Sequence, residues 1–369
     1  MAVKTFMELK AKMLCEGVSL DPAVEAMFQE QNPSGAKRGG LSSGGKMTLT
    51  GSGMVPLQVN APFYHNRLTD IRLVATSSDR TVSVFDRSQF VCDAQVMSAP
   101  PWYGATVRGF PITQILTAHN RQLVGAIYED CVLFGSGDQC RFCVIKWSLK
   151  NRDPRLVMKK DALIIEVLEQ ISLGDYDGLV LNGGMTLAPG RGMEIMEPVL
   201  KEIHRAFPFL PIAVEMTPPE DLSWINRLAD TGMKSLMMNL ECWDPEIRRR
   251  LIPGKDIACP REMYLRAFDY ALHVLGAGKV STCFVVGTEP TASLKNGIAE
   301  VIKRGVIPSP LAGRHFEDVA NYPFAPSVDW REFLEVLQYT STLIRLNRIQ
   351  STDKGGCVAC GMCDMVKDL

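Results

Sequence analysis

Residues 121–149 read Arg121-Gln-Leu-Val-Gly-Ala-Ile-Tyr-Glu-Asp-Cys131-Val-Leu-Phe-Gly-Ser-Gly-Asp-Gln-Cys140-Arg-Phe-Cys143-Val-Ile-Lys-Trp-Ser-Leu149. The run Gln122–Tyr128 is apolar enough to be a buried strand, and a cysteine-bearing loop follows it at once. Further strand-like runs lie at Gly178–Leu181, Pro211–Glu215, Ser235–Leu240 and Val280–Val286. Between them, 3.6-residue apolar patterns predict helices at about 161–173, 193–206, 219–231, 262–276 and 293–304. Repeated strand–helix units with buried strands imply a parallel sheet with right-handed crossovers. Five or six units, with no Gly-x-Gly-x-x-Gly after the first strand, predict an α/β partial TIM-like (β/α)6 barrel rather than a doubly wound sheet. The cysteine loop then falls at the C-terminal mouth, where barrel active sites form.

The remainder of the chain is organised around that barrel. Residues 1–30 carry amphipathic helical patterns. Residues 33–54 are rich in Gly and Ser and read as a flexible loop; their glycine pairs suit an anion cradle, but no helix pattern follows them. Ile71–Ala75, Thr81–Phe85 and Val91–Val96 read as short strands. The expected division is an α+β N-terminal domain over 1–115, the barrel over 116–327, and a C-terminal helix (328–348) with a cysteine tail to 369. No internal repeat is visible.

Composition bounds the function. The 369 residues are 46% apolar and 22% charged with a formal charge of -1, which fits a globular chain and excludes disorder or a fibrous repeat. No basic run points to nucleic acid, and no apolar stretch reaches the ~18–20 residues that cross a bilayer. The first residues mix charge into apolar positions and lack an export-signal core, so a cytoplasmic location is expected. Eleven cysteines, an odd number, argue against a disulfide framework in such a chain. Cys15 and Cys92 are isolated and read as small buried hydrophobes. Six others fall in two tight groups.

Cys131, Cys140 and Cys143 put three thiols on one loop. That set suits a 4Fe–4S cluster with one iron left without a protein ligand, and the loop's two glycines let backbone wrap a bulky group. Zinc competes, but a structural zinc site wants four ligands and no fourth Cys or His lies nearby in sequence. Four further segments bear on the choice. Leu181-Asn-Gly-Gly-Met185 follows the second barrel strand, with glycines at 183 and 184 that allow close backbone approach. Met238-Asn-Leu-Glu241 follows the fourth, and an amide and a carboxylate two positions apart on a strand share a face able to grip a diol. Leu251-Ile-Pro-Gly-Lys255 comes next, and the fifth strand ends in Val286-Gly-Thr-Glu289.

In this order, each at a strand's C-terminal end, the cysteine loop, the Gly183-Gly184 turn, Asn239-Leu-Glu241 and Gly287-Thr-Glu289 resemble the segments of the radical SAM superfamily over roughly residues 121–325. Cys-x-aromatic-Cys closing a three-cysteine loop is that family's hallmark, with Phe142 as the aromatic. The first spacing here is eight residues where three is usual. The resemblance implies that Gly183 and Gly184 meet the methionyl amine of S-adenosylmethionine (SAM), with Met185 in place of an acid. It implies that Asn239 and Glu241 hold the ribose, that Lys255 or Arg261 pairs with the carboxylate, that Gly287 lies by the adenine, and that Glu289 braces the turn. Residues 129–149 look like those of radical SAM proteins from nitrilase-associated operons, and the 238–255 stretch is similar to the biotin synthase group. Reductive cleavage of SAM, a flavodoxin- or ferredoxin-type reductant and a small-molecule substrate are the implied chemistry and partners. A non-catalytic iron–sulfur scaffold or electron carrier is the rival reading; it needs the cysteines but has no use for the ribose and adenine segments.

The second group, Gly355-Gly-Cys357-Val-Ala-Cys360-Gly-Met-Cys363, has Cys-x2-Cys-x2-Cys iron–sulfur spacing. It resembles the auxiliary 4Fe–4S motifs of radical SAM enzymes and is expected to fold over the barrel mouth. A fourth ligand is open between Cys242, Cys259, Cys283, Asp364, an exogenous thiol and the substrate.

Overall fold

The computed structural model describes residues 5–35, 43–51, 55–63, 69–77, 79–148, 152–314, 328–351 and 356–365. Six parallel strands, Gln122–Tyr128, Gly178–Gly183, Ile212–Glu215, Met233–Met237, Val280–Val286 and Ile307–Ala312, pair in strict sequence order. A short strand, Thr117–His119, adds antiparallel to the outer side of the first. Sequential order is what successive right-handed crossovers produce, and it curls the sheet into an open α/β half-barrel. Helices Asp161–Glu169, Met193–Ala206, Ser223–Asp230, Arg261–Leu275 and Thr291–Lys303 cross between the strands. The parallel strands are nearly continuous in burial, as a sheet covered on both faces requires.

Two barrel strands differ from the sequence expectation. The fourth runs Met233–Met237 instead of Ser235–Leu240, so it ends before Asn239. The sixth, Ile307-Pro-Ser-Pro-Leu-Ala312, contains two prolines and is tolerated because it lies at the sheet edge.

Residues before the barrel form a second, six-stranded sheet. The flexible loop expected over 33–54 is corrected in part. Gly45–Thr50 is a strand paired on both sides, with Leu57–Ala61 and with Gln89–Val96. Its alternation wins over the preceding glycines, because Met47 and Leu49 are fully buried on one face. Residues 36–42 and 52–54 of that expectation lie outside the described residues.

The last helix, Trp330–Leu346, starts at Asp329, whose carboxylate accepts from Arg331 N. It buries Trp330, Phe333, Val336 and Leu337 against Phe6–Glu16 and Thr291–Lys303. Each such side chain contributes roughly 1.5–3 kcal/mol. One apolar core therefore runs from Phe6 to Met365 and includes both sheets. Among the described residues no helix is long and apolar enough to cross a membrane.

Candidate functional site

The first barrel strand ends at Tyr128 and delivers Glu129 into a buried charge cluster. Lys159 Nζ lies 3.0 Å from its carboxylate, and Arg152 pairs with the same oxygen. Lys159 also donates to the carbonyls of Ala126 and Leu156. The base of the cysteine loop is thus pinned before Cys131 begins it. Across the mouth, Gly184 N donates to Tyr128 O at 2.9 Å and Val132 N to Met185 O at 3.0 Å. A Cβ on Gly184 would stand 1.5 Å from Asp130 O, so this position admits only glycine. The Gly183-Gly184 turn is packed directly under the cysteine loop.

The far side of the loop rests on the helix Pro253–Ala258. Gly254 N donates to Asp138 O, Arg141 N donates to Leu251 O, and Cys140 and Phe142 pack on Cys242, Leu251 and Ile252. Cys143 N closes back on Cys140 O at 3.0 Å. The Cys140 and Cys143 thiols feel the charges of Cys131, Glu241 and Lys255, and Cys140 that of Cys143 as well. Burial pushes the Cys140 thiol well up, and Glu241 adds to the shift against the pull of Lys255. Burial also raises Cys143, to about 11. Thiols held this way ionise at neutral pH only with a cation beside them. Three convergent thiols, a glycine-lined approach and a lysine next to them fit a cluster carried by three thiolates. Among the described residues no three of His, Cys, Asp and Glu are grouped closely enough for a single metal ion.

Below the loop, Lys255 Nζ lies 2.9 Å from Glu241 Oε2 and donates to Asn239 O at 2.9 Å. Burial is the largest single influence and opposes the lysine's charge, but Glu241, Tyr264 and Cys140 together outweigh it and hold the ammonium well above its ordinary value. Asn239 and Glu241 do not share a strand face as the sequence suggested, because the strand has already ended and Glu241 is left-handed at φ 71°. Glu241 instead makes a parallel bridge to Phe284 of the fifth strand, and Asn239 Oδ1 accepts from Cys283 N at 3.3 Å. Lys255, not Arg261, joins this group. Arg261 lies over the Trp243 ring, donates to Trp243 O and pairs with Glu262. Gly287 takes φ 89°, and the buried Glu289 accepts from Trp243 N (2.6 Å), Asp244 N (2.9 Å) and Ser293 Oγ (2.7 Å). Glu289 therefore ties the turn after the fifth strand to the one after the fourth.

The second cysteine group does not cap the mouth. It lies in the bore of the half-barrel, against the inward faces of the strands. Gly356 N donates to Gln122 Oε1, Cys357 hydrogen-bonds Glu215, and Asp364 takes a hydrogen bond from Ser309 Oγ. A cavity of about 20 Å³ between the tail and Glu215, Ser235 and Ser281 holds one water at most. Burial raises the carboxyl of Glu215 and the thiols of Cys357 and Cys363. Of the candidate fourth ligands, Asp364 is engaged with Ser309, while Cys259 lies by Arg191 and Cys242 by Arg248. Cys283 lies between the two groups, within the influence of Glu241, Lys255 and Glu215.

Residues that the sequence did not suggest complete this second site. His119 ends the antiparallel edge strand, with Nδ1 3.8 Å from Cys360 Sγ and Nε2 3.9 Å from Cys363 Sγ. Asn60 Nδ2 donates to Cys363 Sγ at 3.3 Å, and Lys10 Nζ to Gly361 O at 2.7 Å. Asn60 N also donates to Met362 O, so the tail covers the outer edge of the N-terminal sheet. These residues are 241 to 351 positions from their partners, and no local pattern could announce them.

Fold and site together define an open α/β half-barrel with a half-buried three-thiol loop at its C-terminal mouth. No family model matches the chain. Over 358 residues it is 24% identical to the bacteriochlorophyllide c C-7(1)-hydroxylase of Chlorobaculum limnaeum, a match that covers 89% of this chain and 82% of that protein. Among solved structures it is similar to HydG, a maturase of the FeFe hydrogenase, with a TM-score of 0.45 and 15% identity. That match covers 62% of this chain and 51% of HydG, so the chain spans about half of it. It is also similar to a radical SAM methyltransferase from Sphaerobacter thermophilus, with a TM-score of 0.45 and 16% identity over 78% of each chain.

Proposed function

We propose that this chain is a radical SAM enzyme acting on a small molecule, with residues 1–115, 116–327 and 328–369 as its N-terminal domain, barrel and cluster-binding tail. The observation that carries the reading is the convergence of Cys131, Cys140 and Cys143 at the barrel mouth, directly above the buried Lys255–Glu241 pair. Cys131, Cys140 and Cys143 would hold a 4Fe–4S cluster there, which would supply the electron for reductive cleavage of SAM to methionine and a 5′-deoxyadenosyl radical. The chain's own residues do the rest. Gly183 and Gly184 leave backbone open to the methionyl group, and Asn239 with Glu241 orients the ribose. Lys255 neutralises the carboxylate, with Arg261 at the rim, and Gly287 lets the backbone approach the adenine. Cys357, Cys360 and Cys363 hold a second 4Fe–4S cluster, and a flavodoxin- or ferredoxin-type protein is the reductant. The hydroxylase similarity supports an enzyme rather than an electron carrier.

Anaerobic reconstitution with iron and sulfide tests this. Absorbance near 400 nm and 5′-deoxyadenosine formed from SAM under reducing conditions are expected. Absorbance without 5′-deoxyadenosine would leave the electron carrier as the reading, and zinc in place of iron would overturn both.

A further inference from the structure

Lys46 is the charge that nothing above explains. It lies opposite Asn60 across the antiparallel pair Gly45–Thr50/Leu57–Ala61, so the two side chains leave the same face of the N-terminal sheet. Its relative exposure is 5%, and its Nζ has no hydrogen-bond partner among the described residues. Asn60 Oδ1 is likewise buried without one. The charges that oppose burial at Lys46 are those of Cys360 and Cys363. A buried ammonium persists only beside something negative, which thiolates gathered on a cluster at Cys357, Cys360 and Cys363 would supply. Two donors around the tail agree in sign, and a histidine ring lies beside them. Asn60 Nδ2 points to Cys363 Sγ, the His119 ring lies between the Cys360 and Cys363 sulfurs, and Lys10 holds Gly361 O. Lys46 and Asn60 of the N-terminal sheet, Lys10 of the helix Phe6–Glu16 and His119 of the barrel's edge strand thus form a half-shell around the turn Cys360–Cys363.

We propose that Lys46, backed by Asn60, is the buried counter-cation of the cluster at Cys357, Cys360 and Cys363, and that its charge holds the reduction potential of that cluster up. The inference rests on the second-cluster reading above. Nearby positive charge and hydrogen bonds to sulfur favour the reduced, more negative state, so removal of the charge makes the cluster harder to reduce.

The test uses the full-length chain carrying Cys131→Ala, Cys140→Ala and Cys143→Ala, so that the second cluster alone is read. Lys46→Met and Lys46→Arg are added separately, and each protein is reconstituted, assayed for iron and titrated with dithionite under EPR detection. The expected result is about four irons per chain in all three proteins, a lower midpoint potential in Lys46→Met and recovery in Lys46→Arg. Iron lost from Lys46→Met but kept in Lys46→Arg also supports the proposal, since the charge is then needed for loading. An unchanged midpoint in fully loaded Lys46→Met overturns it, as does equal loss of iron from both variants. A parent protein that takes up no iron overturns the second-cluster reading itself, and this proposal with it. In the iron-free chain Lys46→Met should raise the melting temperature by removing an unpartnered buried charge; a fall there overturns the argument independently.

Discussion

Lys255 and Glu241 meet at 2.9 Å under the first cysteine loop, each with less than a tenth of its side chain exposed. The contact joins the helix that supports the loop to the segment after the fourth strand. Removal of one partner strands a buried charge, which typically costs about 3–5 kcal/mol. Lys255→Met should therefore lower the melting temperature of the metal-free chain strongly. The double variant Lys255→Met/Glu241→Gln should recover much of the loss. A double-mutant cycle by thermal unfolding measures the coupling, and a double variant no better than the single one would refute it.

Gly184→Ala should displace the cysteine loop, because the added methyl meets the Asp130 carbonyl at 1.5 Å. Overpacking of this kind costs about 1–3 kcal/mol. The more telling readout is iron, which should fall at the first site while the second stays loaded. Full retention at both sites would show that the loop has room to move.

Alanine at Cys131, Cys140 or Cys143 should lower iron from about eight to about four per chain and abolish 5′-deoxyadenosine formation. Cys131 carries the most information, because its spacing of eight residues is unusual. Retained SAM cleavage in all three variants would remove the loop from the chemistry.

The triple change Cys357→Ala, Cys360→Ala and Cys363→Ala should also lower iron from about eight to about four. SAM cleavage without product should survive, because Glu129, Gly184 and Gly254 hold the first loop and, among the described residues, no hydrogen bond ties it to the tail. Unchanged iron would show that the tail holds no cluster.

Lys159 gives a pH signature. Burial lowers its pKa to about 8 despite the opposing pull of Glu129. A lysine whose folded pKa lies below its unfolded value adds stability above about pH 10.4 and loses it as pH falls through about 8. The stability of the parent relative to Lys159→Met should thus rise between pH 8 and 10, by on the order of 3 kcal/mol at most. Arg152 keeps Glu129 paired in the variant. Urea unfolding across this range measures the difference, and a flat one would contradict the burial argument.

The barrel was legible because its signals are local. Buried runs such as Val280–Val286 and amphipathic helices such as Met193–Ala206 declare themselves within a dozen residues. Two strands were hidden by their residue types: Gly45–Thr50 stands behind a Gly/Ser stretch, and Ile307–Ala312 carries two prolines allowed by its edge position. At the first site, motif order located Lys255, Glu241 and the glycines, but the left-handed backbone at Glu241 has no sequence signature. The second site shows the limit most clearly. Cysteine spacing marked the tail, whereas Lys46, Asn60, His119 and Glu215 reach it only through tertiary folding.

Lys10 and Gly361 are 351 positions apart, yet they share a 2.7 Å hydrogen bond beside the second thiol group. That one contact sets an order of events during synthesis. Everything the first loop rests on, from Glu129 to Glu289, has emerged while the last cysteines are still to be made. The second site exists only once Lys10 and the segment around Gly361 have met. Contacts so far apart in sequence form late and slowly. A chain that stops before Cys357 can therefore assemble the barrel mouth but has nothing with which to fill the bore.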